Sequence, residues 1–136
     1  MQIRLISPKA TLPIRHRVLW PSKPIEFCQV KEDNLGIHFG VFENDILLCV
    51  ASVFITDAEA RLRKFATLHE HQGRGIGTRM IDHIIESLKQ EGVTYFWCDA
   101  RESAQEFYAR FGMQKQGERF FKSGEPYFKM SVELKR

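Results

Sequence analysis

The sequence predicts a mixed α/β fold: a central sheet of six to seven strands flanked by helices. Three observations point there. Three short apolar runs with tight connections, within 36–68, read as consecutive antiparallel strands. A strand–helix–strand unit spans 60–98, and such a unit joins parallel strands by a right-handed crossover. Two alternating segments, 113–121 and 127–134, end the chain around a turn. With 136 residues there is room for one domain, 1–136.

Residues 2–6 alternate as a first strand. Ser7-Pro8 is a helix start, with Ser as N-cap and Pro at the first helical position. That helix is expected to reach about Leu19, with Leu12, Val18 and Leu19 inward and Pro13 either delaying its start or kinking it. Residues 20–34 hold Pro21, Pro24, Asp33 and Asn34 and read as a long irregular loop of the kind that carries function. Strands follow at Gly36–Phe42, at the almost fully apolar Ile46–Phe54, which should be central, and at Ala60–Leu68. Glu43-Asn44-Asp45 and Thr56-Asp57-Ala58 are the turns between them.

From Thr78 to Glu91 the chain is amphipathic. Ile76, Met80, Ile81, Ile84, Ile85 and Leu88 fall on one helical face, and Gly92 closes the helix. Val93–Cys98 is a strand. Ala104, Phe107, Tyr108 and Phe111 recur at helical spacing, so 102–111 is a short helix closed by Gly112.

The stretch around which this order is built is Gln72-Gly73-Arg74-Gly75-Ile76-Gly77-Thr78, where a strand gives way to a helix. Its glycines remove the Cβ atoms that would hold a ligand away from the backbone. The helix behind them offers unpaired N–H groups and a partial positive charge. Together they make an anion site suited to a pyrophosphate, with Arg74 and Arg79 adding charge. A P-loop would need Lys-Ser or Lys-Thr after its last glycine, and a dinucleotide fingerprint would need glycine where Thr78 stands. A glycine-softened turn without a ligand is the plain alternative.

What remains is Q-x-x-G-x-G, filled by Gln72, Gly75 and Gly77. It resembles the coenzyme A pyrophosphate loop of the GNAT superfamily of N-acetyltransferases. A second landmark of that family is N-x-x-A-x-x-x-Y-x-x-x-G-F. Here it reads Arg101, Ala104, Tyr108, Gly112 and Met113, so Arg replaces the Asn and Met the Phe. The element order is similar to that fold over nearly the whole chain. The end of the chain is similar to a branch of the family with His before the last strand, but Tyr127 takes that place.

The resemblance implies an enzyme that moves an acetyl group from acetyl-CoA to a primary amine by direct attack in a ternary complex. It implies coenzyme contacts from the main chain of Phe65, Ala66 and Thr67 and from Gln72, Gly73, Arg74, Gly75, Ile76, Gly77 and Thr78. It implies Tyr108 as the acid that protonates the leaving sulfur; without the resemblance, Tyr108 reads as a core residue. Some members carry a Glu as base where this chain has Arg61. Glu59 could act through water, or the amine could arrive deprotonated; Arg61 and Arg63 could instead attract an acidic group of the substrate. A module that binds acyl-CoA without turnover is the alternative that Arg61 and Arg101 keep open. Homodimers are common in the family, and no exposed stripe in the sequence decides for one.

Composition narrows the field further. Net charge is +3 with basic residues spread along the chain, a mild bias toward anionic ligands rather than a nucleic-acid footprint. Cys28, Cys49 and Cys98 are odd in number, far apart and without metal spacing, so they are expected to be reduced, with Cys49 and Cys98 in the core. His69 and His71 lack a third ligand at matching spacing, so no metal is expected. Without a signal-peptide core or a long apolar run, the chain is expected to be cytoplasmic and off the membrane.

Overall fold

The structure, a computed structural model, describes residues 1–135. Its strands form a seven-stranded mixed sheet in the order β1-β2-β3-β4-β5-β7-β6. The chain divides into two compact units: residues 1–54 with 63–84, and residues 55–62 with 85–136. No helix among the described residues is long and apolar enough to cross a membrane.

In the first unit, β1 (Gln2–Ile6) pairs antiparallel with β2 (Ile37–Glu43), and β2 with β3 (Ile46–Thr56). Asn44 and Asp45 both take positive φ, 52° and 64°, so the hairpin turns on two residues in the primed geometry that matches strand twist. The expected strand at 46–54 is indeed inside: Leu48–Val53 are buried on both faces.

Helix α1 (Pro8–Ile14) starts as the sequence predicts, with Ser7 Oγ accepting from Ala10 N at 3.2 Å. Pro13 does not stop it. Lacking an N–H for the carbonyl one turn back, Pro13 is followed by a widened π-type turn over Arg15–Leu19. That turn faces Arg15 inward, where it is wholly buried. The expected inward set of Leu12, Val18 and Leu19 is only half-buried, because Thr11, Ile14 and Arg15 take the inner face. Ile14, Val50 and Ala66 form the centre of a local core, with Val18, Leu19, Leu47 and Leu68 packed against it. The loop 20–34 is not featureless; it contains 3-10 turns at Ile25–Cys28 and Asp33–Leu35.

Helix α2 (Ile76–Gln90) buries Ile76, Met80, Ile81, Ile84 and Leu88 of the stripe read from the sequence, while Ile85 is only half-buried. Each such burial is worth roughly 1.5–3 kcal/mol. The N-terminal part of β4 (Glu59–Thr67) pairs parallel with β5 (Tyr95–Arg101), from Glu59↔Tyr95 to Leu62↔Cys98.

In the second unit, β5 runs on to Arg101 rather than ending at Cys98, because its antiparallel ladder with β7 (Glu125–Glu133) continues through Asp99↔Lys129 and Arg101↔Tyr127. β5 alternates cleanly: Phe96, Cys98 and Ala100 are buried, while Tyr95, Trp97, Asp99 and Arg101 are half-buried. The expected helix over 102–111 splits into a 3-10 turn at Glu102–Ala104 and a short α3 (Gln105–Ala109) that packs on β5 and β7. No side chain caps α3, and of its apolar stripe only Tyr108 is buried. β6 (Gln114–Lys122) pairs with β7 and stays exposed along most of its length.

Candidate functional site

In the first unit the predicted coenzyme residues form one continuous track. β4 ends in Phe65, Ala66 and Thr67; a 3-10 turn spans His69–His71; then come the glycines and α2. Gln72 fastens this track. Its Nε2 donates to the carbonyl of Thr67 at 3.0 Å, so the loop is tied back to the strand end. Thr67 Oγ1 donates to Cys49 Sγ at 3.3 Å, which fixes the strand end against β3. Burial pushes the Cys49 thiol up to about 11, so it stays protonated at neutral pH.

Gly73 and Gly75 both have φ +78°, a left-handed conformation that side chains rarely adopt. A Cβ at either position would meet nothing within 4 Å, so the space in front of this backbone is open. The Gly75 carbonyl accepts the first helical bond, from Arg79 N at 3.1 Å. The N–H groups of Ile76, Gly77 and Thr78, in the first turn of α2, have no carbonyl a turn earlier to bond within the helix, and no acidic residue sits in that turn. Ile76, 1% exposed, anchors the loop to the core. These residues fit a pyrophosphate: open backbone donors, no competing carboxylate in the turn, and a helix dipole behind.

Arg74 is not the freestanding cation that the sequence implies. It forks onto Glu43, with Nη2 at 3.2 and 2.9 Å from the two carboxylate oxygens, and its Nη1 lies 2.7 Å from His71 Nδ1. The hydrogen bond from Arg74 holds the Glu43 carboxyl below its usual range. Nearby, Arg17 pairs with Glu70 at 2.9 Å.

The sequence offers Lys64 as one of the basic residues near the glycine turn, but not its conformation. It takes φ +53° in the middle of β4. A left-handed non-glycine residue inside a strand is the conformation of a bulge, and it costs about 1–2 kcal/mol. Strain of this kind collects at functional sites, and this one lies directly before Phe65. No glycine or asparagine marks the position, so the sequence carried no signal.

A buried polar cluster was also missed. Arg15 Nη1 and Nη2 donate to Asp33 Oδ2 and Oδ1 at 2.8 and 3.0 Å, and Nη2 also reaches Ser52 Oγ at 2.9 Å. Ser52 Oγ lies 2.7 Å from His38 Nδ1, and His38 Nε2 lies 2.7 Å from the Asp33 carbonyl. Val30 N donates to Asp33 Oδ2, and Arg15 Nη1 to the Cys28 carbonyl. Burial would raise the Asp33 carboxyl, but the Arg15 and Val30 hydrogen bonds and the Arg15 charge outweigh it and hold it below its ordinary value. The cluster ties the 28–33 segment of the long loop to β2 and β3.

Tyr108 belongs to the second unit. It is 7% exposed, with its ring edge-on to Phe107 at 5.2 Å. On β4, Arg61 Nη2 donates to Asp99 Oδ2 at 2.9 Å, and its guanidinium lies 4.6 Å from the Trp97 ring centre. Asp99 was not singled out from the sequence. The β5 alternation puts it on the face of Trp97, but only the β4–β5 register brings Arg61 beside it. Glu59, the other base considered, is exposed at the start of β4. Two of the departures from the family pattern face each other: Arg101 and Tyr127 are register partners, with Arg101 Nε donating to Tyr127 Oη at 3.4 Å. Cys98 is buried, its thiol pushed up to about 12 by desolvation and by the Asp99 charge. All three cysteines are free and buried. Among the described residues no His, Cys, Asp and Glu side chains group as a metal site.

The family model of the acetyltransferase (GNAT) domain matches residues 29–134. An uncharacterized N-acetyltransferase of Bacillus subtilis, YitI, is 36% identical, over 88% of this chain and 87% of its own length. The fold is similar to that of the ribosomal-protein-S18-alanine N-acetyltransferase of Escherichia coli, with a TM-score of 0.85, 17% identity, and 99% of this chain and 94% of that one covered. It is also similar to a Bacillus subtilis acetyltransferase solved in complex with CoA, with a TM-score of 0.76, 18% identity, and 98% of each chain covered. The mixed sheet, the glycine turn before α2 and these matches agree: the chain belongs to the GNAT superfamily and is an N-acetyltransferase of that family.

Proposed function

We propose that this enzyme transfers the acetyl group of acetyl-CoA to a primary amine by direct attack within a ternary complex. The observation that carries the coenzyme assignment is the Gly73–Thr78 turn: left-handed Gly73 and Gly75 with open space before them, leading into a helix start without acidic residues. The relative solved with CoA supports the same ligand.

The reaction needs little from the protein. The amine nitrogen bonds to the thioester carbon and loses a proton; the carbon–sulfur bond breaks and the thiolate gains one. Main-chain N–H groups at Phe65–Thr67 are the proposed donors to the carbonyl oxygen. Tyr108 is the proposed acid for the departing sulfur. Asp99 is a poor candidate for the base, since its carboxylate is already held by Arg61 and Lys122. An amine that arrives deprotonated needs none.

Thermal-shift titration tests the ligand: acetyl-CoA should raise Tm well beyond the effect of NAD or ATP. Release of free thiol with an amine panel then tests turnover. Stabilisation by acetyl-CoA without thiol release from any amine would favour the binding module.

A further inference from the structure

The 3-10 turn before the glycines holds a histidine on which its neighbours make opposite demands. Arg74 Nη1 lies 2.7 Å from His71 Nδ1. A guanidinium has no acceptor, so Arg74 donates, and Nδ1 accepts without a proton of its own. Two carboxylates pull the other way. The Arg74 hydrogen bond does most to hold the Glu43 carboxyl below its usual range, a backbone hydrogen bond does most for Glu70, and the charge of His71 adds to both. Negative neighbours favour imidazolium, while the Arg74 contact requires imidazole. All of these residues lie in the first unit.

The charge beside the glycine turn depends on that proton. Arg74 pairs with Glu43 on β2, and Arg17 of the π-type turn pairs with Glu70, each at 2.9 Å. Within each pair the charges cancel, so with His71 neutral this cluster offers a pyrophosphate dianion no net positive charge. The other groups facing it are Arg79 in the first turn of α2, exposed and without an ion pair among the described residues, and the N-terminal ammonium, whose charge acts on Glu43. His69 is the neighbouring imidazole, with Nδ1 3.4 Å from Gln72 Nε2.

From this arrangement we infer that His71 is a proton-linked residue of the coenzyme site: acetyl-CoA draws Arg74 onto its pyrophosphate, and His71, released from Arg74, takes up a proton. The inference rests on the acetyl-CoA reading and adds a dependence on pH to it. Arg74 exchanges Glu43 and His71 for phosphate oxygens, which suit its fork of donors. Nδ1 then binds a proton from solvent, and the imidazolium answers the carboxylate that Arg74 has left. The sign follows by reciprocity. Coenzyme binding favours the protonated ring, so protonation favours coenzyme binding. Affinity therefore falls as pH rises through the range in which imidazoles lose their charge, between about pH 5 and 8.

Calorimetric titration of the whole chain with acetyl-CoA tests this. Buffers of low and high ionisation enthalpy, none of them phosphate, count the protons taken up, and titrations from about pH 6 to about pH 8 give the affinity. Wild-type affinity should fall by about fivefold or more over that range, with net proton uptake on binding. His71→Asn keeps an acceptor for Arg74 but cannot be charged. At every pH it should bind as the wild type does at the alkaline end, and the extra proton uptake should vanish. The 3′-phosphate of the ligand also titrates, but that contribution is common to all variants and cancels in the difference. His71→Lys is charged throughout and should bind as the wild type does at the acid end, again without the extra proton. His69→Gln should match the wild type. Circular dichroism confirms the fold of each variant. Equal proton uptake in wild type and His71→Asn, or a proton linkage lost in His69→Gln instead, would overturn the inference while leaving the coenzyme site intact. No binding of acetyl-CoA at any pH would overturn both.

Discussion

Arg74 Nη2 stands 2.9 Å from Glu43 Oε2, so the cation beside the glycine turn is shared with a carboxylate at the end of β2. This pair makes the net charge before the turn smaller than the sequence of the loop implies. Glu43→Gln should therefore tighten coenzyme A binding a few-fold at low salt, with the gain fading as salt screens it. Arg74→Ala should weaken binding mildly, since the backbone supplies most of the site. Calorimetric titration at two ionic strengths checks both; a Glu43→Gln protein that binds more weakly would show that Glu43 positions Arg74 rather than competing for it.

Gly75 combines a left-handed φ with open space in front. Gly75→Val should cost about 1–2 kcal/mol of stability and abolish coenzyme binding. Gly75→Asn accepts the left-handed conformation more readily, so it should keep near-normal stability and still bind poorly, because a side chain now occupies the approach. Denaturation and titration on the two variants separate backbone strain from blocked access. Wild-type affinity in Gly75→Asn would remove the close-approach argument.

Tyr108→Phe keeps the ring and its edge-on contact with Phe107. If the hydroxyl is the acid, kcat should fall by ~10²–10⁴-fold with acetyl-CoA affinity nearly unchanged. If the hydroxyl only satisfies a structural partner, Tm should fall and kcat should hold. Measuring both on one variant decides.

The Arg15–Asp33 pair should make the protein acid-sensitive. The folded-state Asp33 carboxyl is held below its ordinary value. Its stabilisation is therefore fully present above the unfolded carboxyl value, about 4, and is lost as pH falls toward and through the folded value. Asp33→Asn leaves Arg15 buried without its counter-charge and should cost about 3–5 kcal/mol, with a flatter stability curve at acid pH. Urea melts from pH 3 to 7 on both proteins test it; parallel curves would rule out the pair as the source.

What the sequence determined by itself was local. Ser7-Pro8 starts α1, Asn44-Asp45 turns the hairpin, the 3.6-residue stripe makes α2, and the glycines before it set the left-handed turn. Each depends on residues within a few positions of one another, so spacing reveals it, and two motifs at a fixed distance were enough to place the family. The tertiary structure decided what depends on register and long-range burial. Asp99 meets Arg61 across 38 positions, and Ser52 meets Arg15 across 37. Pairing with β7 carried β5 on to Arg101, past the end of its apolar run. Lys64 is held left-handed, although its own preference opposes it. α3 is shorter than its apolar period, and no side chain caps its N-terminus. Periodicity records which face of an element is apolar. Which residues of two elements become neighbours is fixed only when the strands take their register and the core closes around them.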